Sequence, residues 1–346
     1  MSEALWQAWQ PSSGWTRITV IDAHTAGEPL RVITGGLPPI PGDTILAKRR
    51  FLRENLDHLR TALMWEPRGH ADMYGCIVTE PVTPDGTLGV LFLHNEGYST
   101  MCGHGVIALA TVALDTRMLE LPGDKVVVKM DTPAGRVTAY ARRERGRVTE
   151  VAFHNVPSFV YALDRAVDVP GIGHVRYDVA FGGAFYAFCR AEDLGLRLVP
   201  EEFRPLIDVG MRIKRAVMAD LPIRHPFEPD LGFLYGTIIV GPPHDPAHHS
   251  RNVCVFAEGE VDRSPTGTGM SGRAALHFAR GELALNQPFV VESILGTCFE
   301  GRVMGLTTFG PHDAVIPQVT GSAHIVGRSE LCIDPSDPLK HGFILR

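Results

Sequence analysis

The feature that most constrains this 346-residue chain is a weak internal repeat: the same landmarks occur twice, in the same order, about 160 residues apart. Gly75-Cys76-Ile77-Val78-Thr79-Glu80-Pro81 is answered by Gly236-Thr237-Ile238-Ile239-Val240-Gly241-Pro242, each a short β-branched run stopped by proline. A second apolar run follows in each half, ending in Glu96-Gly97 and in Glu258-Gly259. Next comes a loop with a Gly-x-Gly entry to an apolar segment, Cys102-Gly103-His104-Gly105 first and Thr266-Gly267-Thr268-Gly269 second. Gly135-Arg136-Val137 and Gly301-Arg302-Val303 complete the series. Repetition on this scale predicts a duplicated fold.

Residues 106–114 carry almost no polar side chain, which predicts a helix buried on all sides. Short strand-like runs surround it, punctuated by turns such as Pro84-Asp85-Gly86 and Pro133-Ala134-Gly135. The expected fold class is therefore α/β (α+β), with strands wrapped around a central helix in each of two halves. The first half is expected over 1–160, carrying Cys102 and joined by the C-terminal 325–346. The second is expected over 161–324, carrying Thr266. Proline, glycine and charge accumulate over 156–171, which places the join there.

A hydrophobic content of 45% is enough for one or two real cores. The formal charge of −6, with basic residues scattered, leaves no electrostatic footprint for nucleic acid. Lys48-Arg49-Arg50 with Arg53 is the densest basic cluster and reads as a solvated surface. The start, Met1-Ser2-Glu3-Ala4-Leu5-Trp6, lacks the basic-then-apolar pattern of a secretory signal, and no apolar run approaches the ~20 residues of a bilayer span. The expectation is a cytoplasmic protein acting on a small molecule, with no membrane partner. The six cysteines, Cys76, Cys102, Cys189, Cys254, Cys298 and Cys332, include no Cys-x-x-Cys pair and read as free thiols. All but Cys102 lie in strand-like or apolar runs and read as structural.

Chemistry concentrates at the two Gly-x-Gly loops. A helix start offers N–H donors without partners inside the helix and the positive end of the dipole, so it favours an anion such as a substrate carboxylate. The same field lowers the pKa of a thiol placed there, which makes Cys102 the candidate base or nucleophile. His104 shares its loop and could meet the substrate through ring or backbone. Asp262, four residues before Thr266, could pair with a substrate ammonium or cap its own loop.

Two rival motifs are weaker. Gly267-Thr268-Gly269-Met270-Ser271-Gly272 matches a dinucleotide-binding fingerprint with Glu292 downstream, but the loop before it contains Pro265 and is too long for the required tight turn. His244, His248 and His249 lie in a proline-rich loop without a regular ligand set, so no metal site is expected there.

Met101-Cys102-Gly103-His104-Gly105 and Asp262-Arg263-Ser264-Pro265-Thr266-Gly267-Thr268-Gly269 resemble the paired signatures of the proline racemase family. The likeness extends to Asp22-Ala23-His24-Thr25-Ala26-Gly27-Glu28-Pro29 and Gly321-Ser322-Ala323-His324, so it covers nearly the whole chain. It implies a diaminopimelate-epimerase-like duplicated fold with the active site in the cleft between the halves, no metal or organic cofactor, and a homodimer. It also implies that Cys102 is catalytic and that Gly103, His104, Asp262, Thr266, Gly267 and Thr268 bind substrate. Racemases and 4-hydroxyproline epimerases of this family carry a cysteine in both loops. Here the second position is Thr266, whose hydroxyl is far too weakly acidic to replace a thiol.

That departure resembles the family branch of hydro-lyases that dehydrate trans-3-hydroxy-L-proline to 1-pyrroline-2-carboxylate. The alternatives are a 4-hydroxyproline epimerase or proline racemase with an unusual second base, and a non-catalytic binder of cyclic amino acids. Binding alone would not require the Cys102 thiol. Ring-pocket residues, His24 and Phe185 among the candidates, are left open by the sequence.

Overall fold

The computed structural model describes residues 9–345; the initial segment read for a secretory signal lies outside them. Two helices, Gly103–Asp115 and Gly267–Ala279, form the centres of two strand-wrapped halves. Every residue from Gly103 to Leu114 is buried, as is every residue from Gly267 to Leu276. Helices without a polar face have no side to turn to water, so strands close around them. Among the described residues no helix is long and apolar enough to cross a membrane.

The duplication is visible in the pairing. Gly75–Thr79 runs parallel to Glu28–Gly35 and antiparallel to Leu88–Leu93. Leu234–Gly241 runs parallel to Phe185–Arg190 and antiparallel to Ser250–Phe256. Repeated β-branched runs thus occupy equivalent places in each wrap.

The C-terminal strand Ala323–Ile333 pairs antiparallel with Thr16–Thr25, returning the chain end to the sheet around the first helix. His312–Gly321 links the halves by pairing with both Ser158–Val169 and Arg147–His154. The segment where the join is expected, 156–171, is mostly the strand Ser158–Val169, with Pro157 and Pro170 marking its ends. Just before this strand, Asn155 Nδ2 donates to the Gly182 carbonyl at 2.7 Å and to Ser271 Oγ at 2.9 Å.

The basic cluster departs from expectation in part. Helix Ile45–Asn55 turns Lys48 and Arg49 inward, so only Arg50 and Arg53 of the cluster face solvent. Lys48 Nζ donates to the Glu80 carbonyl at 3.0 Å. The aliphatic stems of Lys48 and Arg49 pack while backbone carbonyls receive the charged heads.

The two central helices meet N-terminus to N-terminus. A Cβ on Gly103 would lie 2.6 Å from Gly267 Cα, and one on Gly267 would lie 2.9 Å from Gly103 Cα. Both obstacles are backbone, so neither can rotate away. Gly103→Ala should therefore force the helix starts apart, costing about 1–3 kcal/mol, whereas Gly305→Ala, with nothing within 4 Å of the added carbon, should be close to neutral. Thermal denaturation of the two variants checks this; equal melting temperatures would contradict it.

Candidate active site

Cys102 is the N-cap of the first central helix, in extended conformation (φ −144°, ψ 112°), and its Sγ accepts the Gly105 N–H at 3.2 Å. Thr266 is the N-cap of the second helix, but in left-handed conformation (φ 62°, ψ 89°), and its side chain makes no capping bond. A non-glycine residue held at positive φ stores strain that its surroundings must impose. Its Oγ1 is buried without a well-formed hydrogen bond, although Asp262 and Cys254 lie close enough to interact with it.

The two loops converge on one chamber. Cys102, Gly103 and His104 line it from the first half, and Asp262, Thr266, Gly267 and Thr268 from the second. All seven residues singled out in the sequence therefore share one cavity. Tyr74, Tyr186, Tyr235, Phe256, Met101 and Cys254 complete the walls. His24 and Phe185 are not among them, so the ring-sized space is aromatic by other residues. Its free volume is only about 20 Å³, enough for one or two waters. The chamber is narrow, and a cyclic amino acid needs more room than it offers here.

Hydrogen bonds fix the walls. Tyr186 Oη and Thr268 Oγ1 are 2.7 Å apart, and Tyr74 Oη and Ser99 Oγ 2.6 Å. His104 Nδ1 lies 3.2 Å from Cys102 Sγ, its ring edge-on to Tyr74 at 4.8 Å. Thr25 Oγ1 donates to the His104 carbonyl at 2.9 Å, anchoring the loop from the opening strand. Across the cleft the Arg263 N–H donates to Glu28 Oε2 at 2.7 Å, and Arg263 Nη2 to Asp72 at 2.9 Å.

Burial dominates the ionisation of the site. It pushes the Cys102 thiol well above its ordinary value; the Gly105 N–H works the other way and the Asp262 charge reinforces the rise. This corrects the expectation of a depressed thiol pKa, because desolvation in the closed chamber outweighs the helix field. Burial also holds the His104 imidazole neutral, its pKa brought down to about 3. It raises Asp262 to about 6, against the Ser264 N–H that Asp262 Oδ1 accepts at 2.7 Å. Asp262 thus caps its loop and also faces the chamber.

Cys254, read from sequence as structural, lies in the chamber wall, where burial raises its thiol well above the ordinary value. The sequence carried one signal for it: it lies on the strand that leads into the Asp262 loop. Tyr74 and Tyr235 each stand immediately before the glycine that opens a repeated landmark, Gly75 and Gly236. The rival motifs find other uses. Glu292 accepts His248 at 2.9 Å, the His244 and Asp245 N–H groups at 2.9 Å and Arg251 at 2.8 Å. Burial opposes its ionisation, yet these donors bring it down to about 2.

A sequence profile described as proline racemase matches residues 20–344. The chain belongs to the proline racemase family. This family member is 48% identical to a trans-3-hydroxy-L-proline dehydratase of Colwellia psychrerythraea, over 98% of this chain and 97% of that protein. It is 46% identical to a 3-hydroxyproline 2-epimerase of Burkholderia multivorans, over 95% and 98% of the two chains. Its fold matches a hydroxyproline epimerase of Agrobacterium vitis, solved with trans-4-hydroxy-L-proline bound, at a TM-score of 0.90 and 32% identity, covering 95% of this chain and 96% of that one.

Asp262 generates a stability prediction with a definite sign. Its folded pKa of about 6 exceeds the ordinary 3.8, so folding favours the protonated form. Its contribution is full below the ordinary value and is lost as pH rises through about 6. Asp262→Asn keeps the oxygen that caps Ser264 and removes the charge. Above pH 7 it should stabilise the substrate-free protein by about 2–3 kcal/mol, with the gain vanishing near pH 4. Paired melting curves at the two pH values check this; an equal gain at both would contradict it.

Proposed function

We propose that this protein dehydrates trans-3-hydroxy-L-proline to 1-pyrroline-2-carboxylate, with Cys102 as its one proton-exchanging base. The observation that carries the proposal is the asymmetry of the two helix caps. One presents a thiol hydrogen-bonded to the helix start, the other a threonine hydroxyl with no means of removing an α-proton. A two-base inversion needs a competent group at both caps; an elimination needs only one.

Substrate binding changes the charges that hold Cys102 as a thiol. The carboxylate takes the free N–H groups of the Gly103 and Gly267 helix starts, where two positive dipole ends converge. The ring ammonium faces Asp262 and cancels the charge that raises the thiol pKa. Cys102 then loses its proton to water as substrate enters and acts as thiolate, its charge held by the Gly105 N–H and the helix start.

In trans-3-hydroxy-L-proline the 3-hydroxyl and the α-hydrogen lie on the same ring face, opposite the carboxylate. Cys102 removes the α-hydrogen, the electron pair forms the C2–C3 double bond, and the C3–O bond breaks. The proton now on sulfur goes to the departing hydroxide, giving water and restoring the thiolate. The enamine product tautomerises to 1-pyrroline-2-carboxylate, and no redox step occurs. Thr266, on the far face, positions the ring.

Cys254 supports a second reading, inversion at the α-carbon, in line with the name of the Burkholderia relative. A buried thiol close to Thr266 is protonated and acts as an acid, so it could return a proton to the far face. The variants separate the two. Cys102→Ser should lose at least ~10³-fold in dehydration, whereas Thr266→Ala and Cys254→Ala should each stay within about tenfold of wild type. Pyrroline formation assayed with each variant checks this; persistence in Cys102→Ser, or loss in Cys254→Ala, would overturn the one-base account.

A further inference from the structure

The buried part of the basic cluster faces a second cavity. Arg50 turns outward and bonds Asp230 at 2.6 Å in the other half. Arg49 turns inward and is only 7% exposed. Its Nε and Nη2 both donate to the Tyr98 carbonyl, at 3.0 and 2.5 Å, and no described carboxylate lies within 4.0 Å of it. Asp57, nearby, is already engaged by Arg60 through two bonds of 2.7 Å. Lys214, from helix Phe203–Asp220 of the other half, is 6% exposed. It donates to the Ala257 carbonyl at 2.8 Å, with Glu96 at 3.9 Å. Asp230, already paired with Arg50, acts on Arg49 only from beyond contact distance; a buried guanidinium stays charged, and one with no carboxylate in contact is costly unless an anion completes it.

Both cations line a cavity of about 290 Å³ whose walls come from the two halves, close to the lower limit of small-molecule sites. Arg53 adds a third positive charge, Asp57 and Glu96 add two negative ones, and Met218, Phe233 and Tyr235 form an apolar side. Tyr235 also lines the Cys102 chamber. Its ring stacks on Phe256 at 5.3 Å, and its hydroxyl lies 3.4 Å from that of Tyr74. Tyr235 is therefore a wall shared by the outer cavity and the inner chamber.

We propose that this outer cavity is a docking site for small monocarboxylic acids with a compact apolar body, in which the substrate's carboxylate binds Arg49 and Lys214 before passing Tyr235. The identity of that substrate rests on the function proposed above; the existence of the site does not.

The test uses the full-length protein carrying Cys102→Met, whose longer side chain fills the inner chamber, and calorimetric titration with cyclopentanecarboxylate and with trans-3-hydroxy-L-proline. Both should bind with Kd on the order of 1 mM. Arg49→Gln, Lys214→Met and Arg53→Glu should each weaken binding about tenfold or more, while Arg49→Lys should retain most of it. In unmodified enzyme Arg53→Glu, a change at an exposed side chain, should raise KM about fivefold or more with kcat within about twofold. Should Arg49→Gln not fold, Lys214→Met and Arg53→Glu carry the test.

Absence of binding to the blocked protein, or binding indifferent to these substitutions, would overturn the site. Binding of cyclopentanecarboxylate but not of the hydroxyproline would overturn substrate docking in favour of an effector. Cyclopentanecarboxylate has neither ring nitrogen nor hydroxyl, so a failed dehydration assay leaves its result standing.

Discussion

The structure depends on the head-to-head contact of two helix starts at Gly103 and Gly267. Helices rarely present like poles to each other at backbone distance, because the unpaired N–H groups and positive dipole ends repel. Here the fold enforces the approach by wrapping each helix in its own strands and tying the wraps together through His312–Gly321. Under the proposed function a substrate carboxylate would relieve the repulsion, so the geometry that closes the fold would also select what it binds. Glycine is needed at both positions because any β-carbon would strike the opposite backbone.

Closure sets the electrostatics of the site. In a chamber this small, desolvation governs every titratable group: Cys102 is held as a thiol, His104 as neutral imidazole, and Asp262 at the edge of ionisation near pH 6. Under the proposed function, a zwitterionic substrate would supply a carboxylate for the helix starts and an ammonium for Asp262, completing the charge pattern of the site and activating the base. Outside the chamber the same logic applies to Arg49, a buried cation whose nearest partner is a carbonyl.

Much of this was legible in the sequence because it follows from local pattern. The apolar run after Gly103 could only be a buried helix, and its echo after Gly267 implied a second. The Cys102 and Thr266 loops lie at matching places in the repeat, which brought their residues to one site. What the sequence did not mark depended on long-range packing. Whether Cys254 points inward or into the chamber is decided by the twist of its strand. Lys48 and Arg49 read as surface because charge predicts solvent, and only the packing of their helix shows carbonyls receiving them. The direction of the Cys102 shift followed from the depth of burial, which no motif encodes. The segment 156–171 kept its proline and glycine at strand ends, where composition alone resembles a linker.

The central claim is that proton traffic occurs on one face of the substrate only. The most direct measurement is incubation with trans-3-hydroxy-L-proline in deuterium oxide, with chiral analysis of the remaining substrate during turnover. The account predicts that pyrroline accumulates while the recovered hydroxyproline keeps its L configuration throughout. Accumulation of the inverted isomer, carrying deuterium at the α-carbon, would show a working acid on the Thr266 face and contradict it.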